Sequence, residues 1–165
     1  MEGKFRVETK RLILRPFTLQ DAEEYFDITR DKDVQRYVPN ACPATFADCL
    51  DDIANVYSKG DFSHDYYVII EEKTSHAVIG AIICVQIHDF DTSCLLGKEY
   101  RHQGYMLEAM EGFIANMPKG GALIMSIHYS NDASIKNILS IRGIEEVTCT
   151  RYPYDPNVRK FLYVL

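Results

Sequence analysis

The chain has 165 residues, 47% of them apolar, a formal net charge of −6, and eleven tyrosines but no tryptophan. That length suits one domain with a single sizeable core, and the acidic balance disfavours a nucleic-acid surface while suiting a cationic small molecule or basic peptide end. No stretch approaches the roughly 18 to 20 continuous apolar residues of a membrane span, and the opening Met-Glu-Gly-Lys-Phe-Arg lacks a signal-peptide core, so a cytoplasmic protein with no membrane partner is expected.

In chain order, Leu12-Ile-Leu-Arg-Pro-Phe predicts a first strand ended by Pro16. Thr18 opens a helix, with Asp21 in its first turn and Ala22, Tyr25, Phe26 and Thr29 on one face. Phe46, Leu50, Ile53 and Tyr57 recur at near-helical spacing and predict a second helix closed by Gly60, with Val38-Pro-Asn-Ala-Cys-Pro as the loop between. Asp65-Tyr-Tyr-Val-Ile-Ile-Glu-Glu and the run from His76 to His88 read as antiparallel strands joined by a Lys-Thr-Ser turn. Asp91 to Leu96 forms the next strand, which leads through a polar loop to a helix that begins at Gly104 and ends at Pro118. Ala122 to His128 can lie parallel to the strand before that helix. Asn131-Asp-Ala-Ser134 starts a further helix closed by Gly143. Val147 to Tyr152 and Val158 to Leu165 close the chain as an antiparallel pair across Tyr152-Pro-Tyr-Asp-Pro-Asn. No repeat or linker interrupts residues 1–165, so a single domain is expected.

The first N–H groups of a helix have no intrahelical partner and carry the positive end of its dipole, so a glycine at the start of a helix lets a phosphate approach closely. Gly104 stands there, with Arg101 and His102 just ahead as countercharge. Taken alone this is a weak signal, because a strand, a basic loop and a helix-starting glycine also recur for structural reasons.

Arg101-His-Gln-Gly104-Tyr-Met106 resembles the acetyl-CoA loop of the GNAT N-acetyltransferase superfamily: Arg or Gln, two residues, Gly, one residue, then Gly or Ala. Leu107-Glu108-Ala109 is similar to the Thr-Glu-Ala that continues this loop in the branch acetylating N-terminal amines of ribosomal proteins, although Met106 departs from the small residue. The opening Glu8-Thr-Lys-Arg-Leu-Ile-Leu-Arg-Pro-Phe, the Val78-Ile-Gly80 strand, and Asn131 with Ser134 before a helix ending in Gly143 resemble the same branch. Ile144 stands where that branch has Phe. The resemblance implies the GNAT fold, a mixed and mostly antiparallel α/β (α+β) sheet with helices on both faces in the order βααβββαβαββ. It further implies that the first two helices wall the acceptor site and that homodimers are a common assembly.

Acetyl transfer from a thioester to an amine needs an anchored CoA, a neutral amine and a proton source for the departing thiolate. The resemblance assigns acetyl-CoA, as cosubstrate, to Leu95, Leu96, Arg101, His102, Gln103, Gly104, Tyr105, Met106 and Asn131, with Asn131 bonding the pantetheine arm. Ser134 resembles the serine facing the sulfur, and Asp91 falls at a glutamate that handles the amine. Each also has a plain structural reading: Asp91 as a turn residue, Ser134 as a first-turn serine and Asn131 as a helix cap. His128 and Tyr129 are further candidates beside the same site. The five histidines lack metal-ligand spacing, so no metal is expected. No Gly-x-Ser-x-Gly elbow points to a hydrolase. Five cysteines without a Cys-x-x-Cys suit reduced structural thiols. The leading expectation is an acetyl-CoA-dependent N-acetyltransferase acting on a peptide N-terminus or small cationic amine. Its rival is a non-catalytic acyl-CoA-binding module, suggested by Met106, Asp91 and Ile144.

Overall fold

The structure is a computed structural model that describes residues 5–60, 65–86, 90–148 and 155–165. His64, His88, Cys149 and Tyr152 to Tyr154, which entered the expectations above, lie outside the described residues. The elements in chain order are β1 (Val7–Glu8), β2 (Leu12–Pro16), α1 (Ala22–Thr29), α2 (Lys32–Tyr37), α3 (Phe46–Asn55), β3 (Asp65–Glu72), β4 (Val78–Gln86), β5 (Phe90–Leu96), α4 (Tyr105–Ala115), β6 (Ala122–His128), α5 (Asp132–Leu139), β7 (Glu145–Val147) and β8 (Val158–Val164).

Two of these were not expected from the sequence. β1 is a two-residue strand against Ile13 and Leu14 of β2. α2 is one and a half turns long and exists because the Asp31 carboxylate accepts the N–H groups of Asp33 and Val34, which caps a segment with only Val34 buried. Such a short helix has too few apolar positions for a period to appear.

The strands form one sheet in the order β1-β2-β3-β4-β5-β6-β8-β7. Every neighbouring pair is antiparallel except β5 and β6, which are parallel because α4 returns the chain between them. Alternation along β3 sends Val68 and Ile70 to one face and Tyr67 and Ile69 to the other. The first face packs on α4 through Met110 and Phe113 and on α5 through Ile135 and Ile138. The second packs on α1 through Tyr25 and Ile28, on α2 through Val34 and on α3 through Cys49 and Ile53. Helices therefore cover both faces. Gly80 is required where β4 meets β5, since a Cβ there would stand 2.3 Å from the Leu95 carbonyl oxygen.

Arg15 organises the entry to α1. Its guanidinium donates to both oxygens of Asp21 (2.9 and 2.7 Å) and to Glu71 of β3 (2.6 Å), while Asp21 also accepts the Thr18 backbone N–H at 2.7 Å. Burial pushes the Glu71 carboxyl up, but its bonds from Arg15 and His76 outweigh this and hold it below the ordinary carboxylate range. Arg15→Met is therefore expected to cost about 3 to 5 kcal/mol in urea unfolding at neutral pH, because it leaves two carboxylates with little exposure uncompensated. Since the Glu71 pKa is depressed in the folded protein, its ionic stabilisation is present above the unfolded carboxylate pKa and lost as pH falls through the folded value. The gap between wild type and variant should narrow over that acid range.

Candidate active site

Among the described residues, the parallel pairing of β5 and β6 is confined to Phe90 with Leu123 and Asp91 with Ile124. β5 then continues to Leu96 and β6 to His128 without further pairing, so the sheet splits into two arms that part toward the C-terminal ends of both strands. The Gly97 N–H donates to the Ile79 carbonyl of β4 at 2.8 Å. Because backbone groups alternate in direction along a strand, Cys94 and Leu96 present theirs to the opposite edge, inside the split. The Leu96 carbonyl on that edge accepts Arg101 Nε at 3.1 Å.

Each arm runs into the N-terminus of a helix. After β5, a 3-10 turn at Lys98–Tyr100 is followed by His102 at φ 60° and Gly104 at φ 78°, and α4 begins at Tyr105. A Cβ at Gly104 would meet nothing nearer than Arg11 Nη2 at 3.6 Å, so the face of this turn is open. After β6, the Asn131 side chain accepts the Ser134 N–H at 3.2 Å and caps α5, leaving the half-buried Ser134 in its first turn.

These parts correspond to a known family. The acetyltransferase (GNAT) domain matches residues 11–141. The chain belongs to the GNAT acetyltransferase family. It is 25% identical over 114 residues to the uncharacterized N-acetyltransferase YnaD of Bacillus subtilis (strain 168), an alignment that covers 66% of this chain and 62% of that protein. A GNAT-family acetyltransferase of Bacillus anthracis superposes with a TM-score of 0.77 at 18% identity, over 96% of each chain. RimL, a ribosomal L7/L12 alpha-N-protein acetyltransferase in complex with coenzyme A, superposes at 0.78 and 10% identity over 98% of each. A ribosomal-protein-S5-alanine acetyltransferase of Vibrio fischeri does so at 0.70 and 16%, over 97% and 96%. At these identities the superpositions establish the GNAT fold.

Within the GNAT chain the residues singled out from the sequence occupy distinct places. Leu95 and Leu96 lie at the end of the β5 arm, Gly104 to Met106 begin α4, and Asn131 and Ser134 begin α5 on the β6 arm. Met106, large where the family pattern is small, is partly buried and packs against the apolar core. Gln103 folds back to donate to the Glu99 carbonyl at 2.7 Å, and His102 is exposed. Arg101, expected as countercharge for a phosphate, already has carboxylate partners. Its guanidinium donates to Asp31 at 2.8 Å and Asp33 at 3.3 Å, so its charge is balanced within the protein.

Asp91 is a strand residue at the last position of β5 paired with β6, opposite Val85 on the face of α1 and α3, and not part of a turn. Much of its side chain reaches solvent, yet enough protein surrounds the carboxyl for desolvation to push it above the ordinary range, with the Lys160 charge and the Thr92 N–H pulling the other way. At about 3.3 Å per residue, the five residues from Asp91 to Leu96 put it roughly 17 Å along the arm from the loop. His128 ends β6, its Nδ1 2.8 Å from Ser130 Oγ and its ring stacked on the exposed Tyr129. Among the described residues no group of three His, Cys, Asp or Glu side chains could hold a metal ion, and Cys42, Cys49, Cys84 and Cys94 are unpaired. A hollow of about 400 Å³ between α1 and the Lys98–Tyr100 turn is lined by none of Asp91, Gly104, Asn131 or Ser134.

The brace under the loop is invisible in the sequence. Glu108, in the first turn of α4, accepts the Thr9 hydroxyl (2.6 Å), the Arg11 N–H (2.7 Å) and Arg11 Nε (2.7 Å). Arg11 Nη1 donates in turn to the Gln103 carbonyl at 3.0 Å, and the guanidinium lies 4.1 Å over the Tyr105 ring. Burial pushes the Glu108 carboxyl up, but these donors prevail and hold it below the ordinary range. Glu108→Ala should cost about 1 to 3 kcal/mol, since it strips an ionised acceptor from three donors. Amide exchange at Gln103 to Met106 should rise more than elsewhere, and unchanged exchange there would show that the brace does not hold the loop.

Proposed function

We propose that the protein is an acetyl-CoA-dependent N-acetyltransferase that acetylates a primary amine, either a peptide N-terminus or a small cationic amine, by direct attack of the amine on the thioester. The observation that carries this reading is the split between β5 and β6, with a β5 edge inside it that β6 does not pair and a helix N-terminus on each side. An extended amide-bearing chain can hydrogen-bond along such an edge, and a pyrophosphate fits the open face at Gly104. Acetyl-CoA, when bound, supplies the activated acetyl group.

In this reading the backbone from Arg101 to Met106 receives the pyrophosphate, with the exposed His102 as the nearby basic side chain. The strand edge at Cys94 and Leu96, together with Asn131, orients the pantetheine arm. Ser134 donates a hydrogen bond to the sulfur as it becomes a thiolate. Asp91, at the closed end of the split, attracts the cationic amine and takes its proton, directly or through water. Desolvation raises the Asp91 pKa, which makes its carboxylate a better base than an ordinary aspartate. A second reading, a CoA-binding module without catalysis, draws on the engagement of Arg101 and of Asn131 Oδ1 in contacts within the protein. Thiol release from acetyl-CoA over a panel of amines separates the two. CoA binding without release for any amine favours the module.

Three variants test the roles. CoA should raise the melting temperature of wild type, and Gly104→Val, strained at φ 78° but not crowded, should lose most of that shift while remaining folded. Ser134→Ala should lower kcat by about 10²-fold and leave the CoA Kd in place, because its bond matters as charge develops on sulfur. Wild-type turnover should fall as pH drops through the raised Asp91 pKa, above the ordinary carboxylate range. Asp91→Asn should abolish that limb and raise the amine KM. An Asp91→Asn enzyme with the wild-type pH profile would remove Asp91 from the mechanism.

A further inference from the structure

α2 touches both arms of the split sheet. At its N-terminus, Asp31 Oδ1 accepts Arg101 Nη2 at 2.8 Å and Asp33 Oδ2 accepts Arg101 Nη1 at 3.3 Å, and Arg101 is fastened by Nε to the Leu96 carbonyl at the end of β5. At its C-terminus, the Tyr37 hydroxyl lies 3.3 Å from Ser130 Oγ and 3.4 Å from the Ser130 carbonyl, just past the end of β6. Ser130 Oγ is itself 2.8 Å from His128 Nδ1, and the Tyr37 ring lies 5.9 Å from that imidazole. Between the two ends, Val34 is buried in the core shared by α1 and α3. Six helical residues span about 9 Å, so one short helix joins the two arms where they stand apart.

We propose that Asp31 and Tyr37 are positioning residues that strap α2 across the open end of the split. The strap sets how far the arms part, and it keeps α2 against the acceptor face while CoA is held. This rests on reading the split as the CoA site. It also gives Arg101 a task other than neutralising phosphate: its guanidinium fastens the β5 arm to the helix wall, and its backbone remains part of the loop. The carboxylates at Asp31 and Asp33 both face that one guanidinium, so Asp31→Asn keeps the cap and the shape of α2 but removes half of the opposing charge.

The experiment compares wild type, Asp31→Asn, Tyr37→Phe and the double variant, measuring CoA dissociation by stopped-flow chase and affinity by calorimetry. Melting temperature without CoA and amide exchange across α2 check the folded state. Each single variant should speed CoA dissociation about 3- to 10-fold, in keeping with the loss of one hydrogen bond or ion pair. The double variant should fall well short of the product, because a strap released at one end no longer holds the arms at the other. If Arg101 instead binds phosphate, Asp31→Asn frees it and CoA dissociates more slowly, which overturns the proposal. Unchanged dissociation in the folded variants, or a double variant equal to the product of the singles, overturns it as well. Wild-type protein that binds no CoA removes the cofactor reading itself, a result distinct from a strap that fails in a protein that binds CoA.

Discussion

The parting of β5 and β6 after Asp91 and Ile124 is the constraint on which the rest of the structure depends. A continuous parallel pair would satisfy its backbone groups internally and leave no room between the strands. Here the β5 edge beyond Asp91 is given over to other partners, and at Leu96 the protein supplies one of them itself in Arg101. Unpaired strand edges inside a sheet are costly, and the cost recurs where a ligand completes the hydrogen bonding.

Holding the arms open calls for supports from outside the sheet. On the side of α4, Thr9, Arg11 and Glu108 tie the first turn of the helix to the β1–β2 connection, and the same Arg11 grips the Gln103 carbonyl of the loop. On the other face, Arg101 links the loop to Asp31, and Tyr37 reaches the β6–α5 turn. Arginines in this chain are thus spent on carboxylates within the fold: Arg15 on Asp21 and Glu71, Arg11 on Glu108, Arg101 on Asp31 and Asp33. These pairs leave the overall balance at −6, which keeps the preference for a cationic acceptor.

Much of the architecture was legible in the sequence because it depends on residues a few positions apart. The αL glycine at the start of α4, the Asn131 cap, the β3–β4 hairpin and the placement of β5 and β6 follow from caps, turns and period-two alternation, all of them local. The family pattern around Gly104 extended that reading to chemistry. It could not show that Arg101 is engaged by Asp31 and Asp33, because a basic residue before a phosphate loop looks available until its neighbours in space are known. It was silent on α2, whose six residues carry a cap but no apolar period.

The sequence by itself determined most of the elements, their order and the residues that start the later helices. Only the tertiary structure decided where β5 and β6 cease to pair, which carboxylates claim which arginines, and that Asp91 stands at the closed end of the split. The physical reason is separation along the chain. Arg101 meets Asp31 across 70 residues and Arg11 meets Glu108 across 97, and no local periodicity or propensity reports a contact that the packing of the sheet alone brings about.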